Sequence, residues 1–201
     1  AGVVVHQLLP FIRQMDSSPR SVRGVAVVQA LAAYPYLARA WRKEMLEHFM
    51  GGEFFRCSPA VLAFWKPLMG GMMAHDRLLF GEFLRNVARQ MSFQPTMLFA
   101  SREQEVLQRA RAVRRLAFVL LGAERDAFVG SLPAIQERLV DALRAANAPE
   151  VHAQVLLTLR VALLRFSGQH LRPMWPGILS ELLRVLGDAV AAAPLRAAEQ
   201  A

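Results

Sequence analysis

The sequence predicts an all-α fold, a HEAT-like solenoid array of antiparallel helix pairs, and three observations predict it. Amphipathic segments of about twelve to eighteen residues alternate with turns of a few polar, Gly or Pro residues, the rhythm of stacked helices. The period-two alternation of a half-buried strand is absent from the sequence. Hydrophobic residues make up 54% of the 201-residue chain and charged residues 20%, a composition that buries a core rather than staying disordered.

The elements follow from local signals. Val3 to Ile12 reads as a first apolar helix, closed by the turn Asp16, Ser17, Ser18, Pro19. Ser21 caps a second helix through Val25, Val28 and Leu31 to about Ala33, and Tyr34, Pro35, Tyr36 break the chain. A third, Leu37 to Met50, gathers Ala40, Trp41, Met45, Leu46 and Phe49 on one face, and Gly51 with Gly52 stops it. Ser58 and Pro59 are an N-cap and first-turn pair for a helix through Leu62, Trp65 and Leu68 to Met69, with Gly70 and Gly71 expected to end it.

A helix from about Asp76 to Met91 turns Leu78, Leu79, Phe83, Leu84 and Val87 inward, and Ser92 to Ala100 connects it onward. Ser101 with Gln104 is a capping-box signature for a helix to Leu121. Asp126 to Val129 forms a short helical turn, Ser131 caps a helix to about Ala146, and Pro149 opens one ending near Phe166. After the Ser167, Gly168 turn, a helix through Trp175, Ile178, Leu182, Leu183 and Leu186 completes a single array over residues 1–188. The Ala-rich residues 189–201 offer little large apolar surface and are expected to pack poorly or fray.

Bulk properties bound the function. The most apolar run, Val155 to Phe166, contains Arg160 and Arg165 and falls short of the roughly 18 to 20 apolar residues that span a bilayer, so it reads as a helix packed on nearly all sides. The formal charge of +8 invites a nucleic-acid reading, a basic helical binding module. That reading ranks second, because only Lys43 and Lys66 are lysines and acids are interleaved: Glu44 and Glu47 follow Lys43, and Asp141 follows Arg138. Cys57 stands alone, which rules out an intrachain disulfide. The chain opens Ala1, Gly2 without an initiator Met, which predicts a fragment of a larger protein.

Catalytic candidates weaken one by one. His48, His75, Asp76 and Asp126 could be assembled into an HD-type metal site, since imidazole and carboxylate together bind divalent metals. They fall at helix ends and turns with no second ligand set, so His75 and Asp76 read as turn and N-cap residues. Cys57 precedes a helix start, where a thiol pKa can fall, yet no histidine is near in sequence and a buried or turn cysteine is the simpler reading. The glycine pairs match neither GxxxxGK nor GxGxxG. We therefore expect no enzymatic activity, no metal and no cofactor.

Two surface candidates remain. Arg111, Arg114 and Arg115 stand at i, i+3 and i+4 and are candidate contacts to an anionic membrane or partner, each contributing about 1 kcal/mol near an anionic leaflet. The competing reading is a solvated face pairing with Glu103 or Asp126. Trp175 with Pro176 in the first turn of a helix is a packing anchor, with an interface anchor as the second reading. Trp41 and Trp65 belong to the core by their helical spacing.

Several blocks also carry a family likeness. RLAF at 115–118, LPxIQERLVxxLR at 132–144 and QHLxxxWPxxxxEL at 169–182 resemble the C-terminal region of the Dopey family. RAWRKEMLEHFM at 39–50, EFF at 53–55, the pair His75 and Asp76, and LFASREQEVLQRA at 98–110 continue the likeness in order, so that it covers about Arg39 to Asp188. GGMMAHD at 70–76 and the Ala-rich tail depart from the pattern. The resemblance implies a non-enzymatic scaffold in Golgi and endosomal vesicle-mediated transport, cytosolic and peripherally attached to trans-Golgi and endosomal membranes. The partners it implies are a large scaffold related to Arf exchange factors (Mon-two), a flippase, and anionic Golgi lipids such as phosphoinositides, with no nucleic acid and no transmembrane segment.

Overall fold

The computed structural model describes residue 7 and residues 19–32, 42–91, 102–144 and 148–199. The expected Val3 to Ile12 helix, the Tyr34, Pro35, Tyr36 break, Trp41, the Ser92 to Ala100 connector and the Ser101 cap lie outside the described residues. Those described form helices and turns, with no strand among them, so the fold is all-α. The α-helices are α1 (Pro19–Ala32), α2 (Arg42–Met50), α3 (Pro59–His75), α4 (Arg77–Met91), α5 (Arg102–Gly122), α6 (Leu132–Arg144), α7 (Pro149–Arg165) and α8 (Trp175–Glu199). A single turn, Gly168–Leu171, and three 3-10 turns at Phe54–Arg56, Val129–Ser131 and Arg172–Met174 join them.

The chain divides into two compact units. The first holds Ala1–Arg77 together with Leu121–Glu124. Here α1 packs along α3, burying Val25 and Val28. Met45 and Phe49 of α2, Phe54 and Trp65 are fully buried. The indole of Trp65 meets the Phe54 ring edge-on at 5.3 Å and lies 5.3 Å from the His48 ring, while Phe49 meets Phe54 edge-on at 4.9 Å. Such edge-to-face pairs add to the large apolar area that each ring removes from water. The helix start reads as expected: Ser58 Oγ accepts the Val61 N–H at 3.4 Å, and Pro59 occupies the first turn, where a missing N–H costs nothing.

The expected stop at Gly70 and Gly71 is corrected by the structure. Helix α3 runs through Pro67 and both glycines to His75. Gly70 is buried because the backbone of Gly122 and Ala123 crosses directly over it, and the Lys66 carbonyl lies against Gly122 in turn. The glycines provide close approach rather than termination. Asp76, with extended backbone, is the single residue between the end of α3 and the start of α4 at Arg77, the position expected of it.

The second unit holds Leu78–Leu120 and Arg125–Ala201. Leu79, Phe80, Phe83, Leu84 and Val87 of α4 are buried, and Phe80 stacks on Phe128 at 4.2 Å. Leu78, expected inward, is 81% exposed, because it sits about 140° around the helix from Phe83. Helix α6 packs against both α7 and α8, burying Ile135, Leu139, Ala142 and Leu143. Helix α8 continues through the Ala-rich segment to Glu199, with Ala189, Val190 and Ala191 exposed.

Helix α7 departs from the expectation of packing on nearly all sides. Val151, Val155, Thr158, Leu159, Val161 and Ala162 are buried, and Thr158 Oγ1 donates to the Gln154 carbonyl at 2.7 Å. Leu156, Leu157, Leu163 and Leu164 on the other side are exposed. One apolar face serves this unit's core, and a second apolar face is open.

Candidate interaction surface

The polar residues with catalytic potential are engaged in holding the fold. In the first unit, His75 Nδ1 lies 2.7 Å from the Gly71 carbonyl, and Asp76 takes an ion pair with Arg42 at 2.6 Å. The His48 ring packs into the aromatic cluster. Asp126 belongs to the second unit, bonded to Ser167. No group of three or more metal-ligating residues forms among the described residues. Cys57 is buried, and loss of solvation pushes its thiol up to about 11, opposite to the activation that a helix start can provide.

Asp126 is a structural lock. Its φ of 62° is left-handed, a conformation that Asp tolerates better than most side chains. That turn lets its N–H donate to the Arg165 carbonyl at 2.8 Å. Its carboxylate accepts the Ser167 N–H at 2.7 Å and the Ser167 hydroxyl at 2.5 Å. The hydroxyl bond first, and the N–H bond second, hold the carboxyl below its ordinary value of 3.8. An acid with a depressed folded pKa contributes stability above its unfolded pKa and loses it as pH falls through the folded value. Asp126→Asn is therefore expected to melt below the parent at neutral pH, with the gap closing in acid below the ordinary carboxylate range. Thermal melts of both proteins against pH check this; a gap independent of pH would contradict it.

The two long sequence blocks meet where α6 packs on α8. Arg144, which ends LPxIQERLVxxLR, donates from Nε to Glu181 of WPxxxxEL at 2.8 Å. Arg184 donates from Nε to the same carboxylate at 2.9 Å, from one terminal nitrogen to Asp188 at 3.0 Å, and from the other to the Leu143 carbonyl at 2.8 Å. The Arg144 bond first, then that of Arg184, lowers the Glu181 pKa. Gly177 lies so close to Gln136 that a Cβ would come within 3.0 Å of its amide nitrogen. The blocks are therefore packing elements of α6 and α8. Ion pairs of Arg138 with Glu137 and Asp141 occupy further basic charge that a nucleic-acid stripe would need.

The three-arginine candidate is divided by the structure. Arg114 is exposed, Arg111 is half-buried, and Arg115 is only 3% exposed. At about 100° per residue, Arg114 and Arg115 lie about 100° apart, and Arg115 falls on the core side. Burial, and secondarily the Arg111 charge, pushes its guanidinium down to about 10. Arg115 is thus corrected from surface contact to interior residue, while Arg111 and Arg114 keep solvent access. Trp175 is half-buried at the first position of α8, and Pro176 beside it is exposed.

Sequence reasoning missed the exposed leucines of α7 and α8. On α7, Leu156, Leu163 and Leu164 are each more than half exposed. On α8, Leu179, Leu183, Leu186 and Val190 are exposed at spacings of four, three and four, up to 73% at Val190. Isolated exposed leucines are ordinary, but leucines in register along a helix form a continuous apolar strip of the kind that marks interaction sites. The available signal was a helix apolar on all sides in a chain with few neighbours to cover it. An open depression of about 410 Å³, lined by Arg102, Glu103, Val106, Leu107 and Glu150, adds a further apolar floor with a charged rim.

Residues 1–201 match the family described as DOP1 C-terminal. The chain is 37% identical over 161 residues to the Protein DOP1 homolog of Drosophila melanogaster, covering 80% of this chain and 6% of that protein. It is 33% identical over 183 residues to Protein DOP1B of Mus musculus, covering 90% and 8%. It is 33% identical over 165 residues to Protein pad-1 of Caenorhabditis elegans, covering 81% and 7%. The chain therefore spans less than a tenth of the length of these relatives. No solved structure matches it.

Proposed function

Since the chain belongs to the DOP1 (Dopey) family, we propose that it is a non-enzymatic scaffold region, a helical array serving Golgi and endosomal vesicle-mediated transport. In this reading it engages a large scaffold related to Arf exchange factors (Mon-two), a flippase, and anionic Golgi lipids such as phosphoinositides. Its place is cytosolic, peripherally attached to trans-Golgi and endosomal membranes. The observation that carries the reading is the exposed leucine strips of α7 and α8, apolar surface that the core of their unit does not use. The engagement of Asp76, Asp126 and Glu181 in fold-holding bonds supports a role without catalysis. Among the described residues no helix is long and apolar enough to cross a membrane, which suits peripheral attachment.

The test is a paired co-purification of the full-length protein with and without this region. We expect recovery of the Mon-two scaffold, and of the protein with Golgi and endosomal membranes, to drop several-fold when the region is deleted. Unchanged recovery of both would overturn the reading. So would tight binding of the isolated region to duplex DNA at physiological salt without partner or lipid binding.

A further inference from the structure

We propose that the open face of α7 is a docking site for an amphipathic partner helix that sets an acidic side chain against Arg160. The proposal rests on the scaffold reading and names the kind of partner one of its surfaces takes. Successive helical residues turn by about 100°, so Arg160 projects at the centre of the open face. Leu156 stands one turn before it, Leu163 and Leu164 one turn after, and Leu157 on the flank. All four leucines are exposed, Leu163 by 59% and Leu164 by 64%, and Arg160 is exposed with them. Among the described residues Arg160 makes no ion pair, unlike Arg138, Arg144 and Arg184 of the same unit. The face is therefore an apolar stripe with one positive charge at its midpoint.

That arrangement discriminates among occupants. A leucine stripe at spacings of three and four fits the groove-and-ridge packing of a second helix. Covering the stripe takes Arg160 out of water, which is costly unless a carboxylate meets it, so the partner must carry an acid at the matching position. A second copy of this chain fits poorly, because a two-fold pairing about the stripe centre brings Arg160 against Arg160. A lipid surface fits poorly as well, because interfacial helices carry their basic residues along the polar flank, whereas insertion here would draw a central Arg toward hydrocarbon. A single charge in an otherwise apolar seam also selects register, as polar residues at core positions of coiled coils do.

The experiment uses the whole chain and two labelled amphipathic peptides, identical leucine-striped helices with Glu or Lys at the central position of the stripe, in fluorescence anisotropy. We expect the Glu peptide to bind about tenfold more tightly than the Lys peptide at low salt. Arg160→Glu should invert that preference, and the double variant Leu156→Ser, Leu163→Ser should abolish binding of both while leaving the helical circular dichroism unchanged. Equal binding of the two peptides, binding of neither, or no inversion would overturn the proposal. It is equally overturned if the two leucines instead control sedimentation with anionic phosphatidylserine vesicles or dimerisation in analytical ultracentrifugation. Absent peptide binding alongside lost partner recovery on deletion removes this site and keeps the scaffold reading. Peptide discrimination alongside unchanged partner recovery does the reverse.

Discussion

Gly122→Ala is expected to destabilise the first unit by more than about 3 kcal/mol, the upper range for forcing extra volume into a packed interior. Gly122 ends α5, and a Cβ built on it would sit 2.7 Å from the Lys66 carbonyl carbon and closer still to its oxygen. The obstacle is helix backbone, so no side-chain rotation relieves it and the two segments must separate. Gly70 faces the reciprocal constraint, since its Cβ would collide with the backbone of Gly122 and Ala123. Gly71 supplies the control: it lies in the same helix, a methyl group added there would meet nothing within 4 Å, and its φ is not positive. Gly71→Ala should therefore be neutral or stabilise by up to about 1 kcal/mol through helix propensity. Urea denaturation of the three proteins decides the matter, and a Gly122→Ala curve that overlays the parent would show that the crossing is looser than these distances require.

Trp65→Ala is expected to cost about 3 to 5 kcal/mol, the range for removing a large buried aromatic side chain. Trp65 is fully buried, and its ring is the surface against which Phe54 and His48 pack. Truncation loses the transfer free energy of the indole and leaves a cavity that helix backbone on several sides cannot fill. Among the described residues its buried indole N–H has no acceptor. Trp65→Phe, which keeps an aromatic ring and discards that N–H, should accordingly cost much less, within about 1.5 kcal/mol. Equilibrium unfolding followed by far-ultraviolet circular dichroism distinguishes the two variants. A Trp65→Ala cost below about 1 kcal/mol would mean that the cluster is not the core of its unit.

Much of the fold was legible because its signals are local. The Ser58, Pro59 start of α3, the Pro149 start of α7 and the extents of α5 and α6 depend on residues within one or two turns, and the structure places them within a few residues of expectation. Gly70 misled because a glycine pair stops a helix when nothing else is present, whereas here another backbone lies over it. Arg115 misled for a related reason: i, i+3 and i+4 spacing defines an arc on a helix, and only the neighbours decide where on that arc the core ends. The Asp126 lock on Ser167 and the Arg144 contact with Glu181 join residues 41 and 37 positions apart, beyond any periodicity.

By itself the sequence determined that this protein is helical, where most helices start, and which family it belongs to, because propensity, capping and motif order reside in consecutive residues. The tertiary structure alone decided which apolar faces are used. Two helices can be equally hydrophobic, yet burial depends on what packs against each face, and on α7 one such face is taken by the core and the other is left open around Arg160.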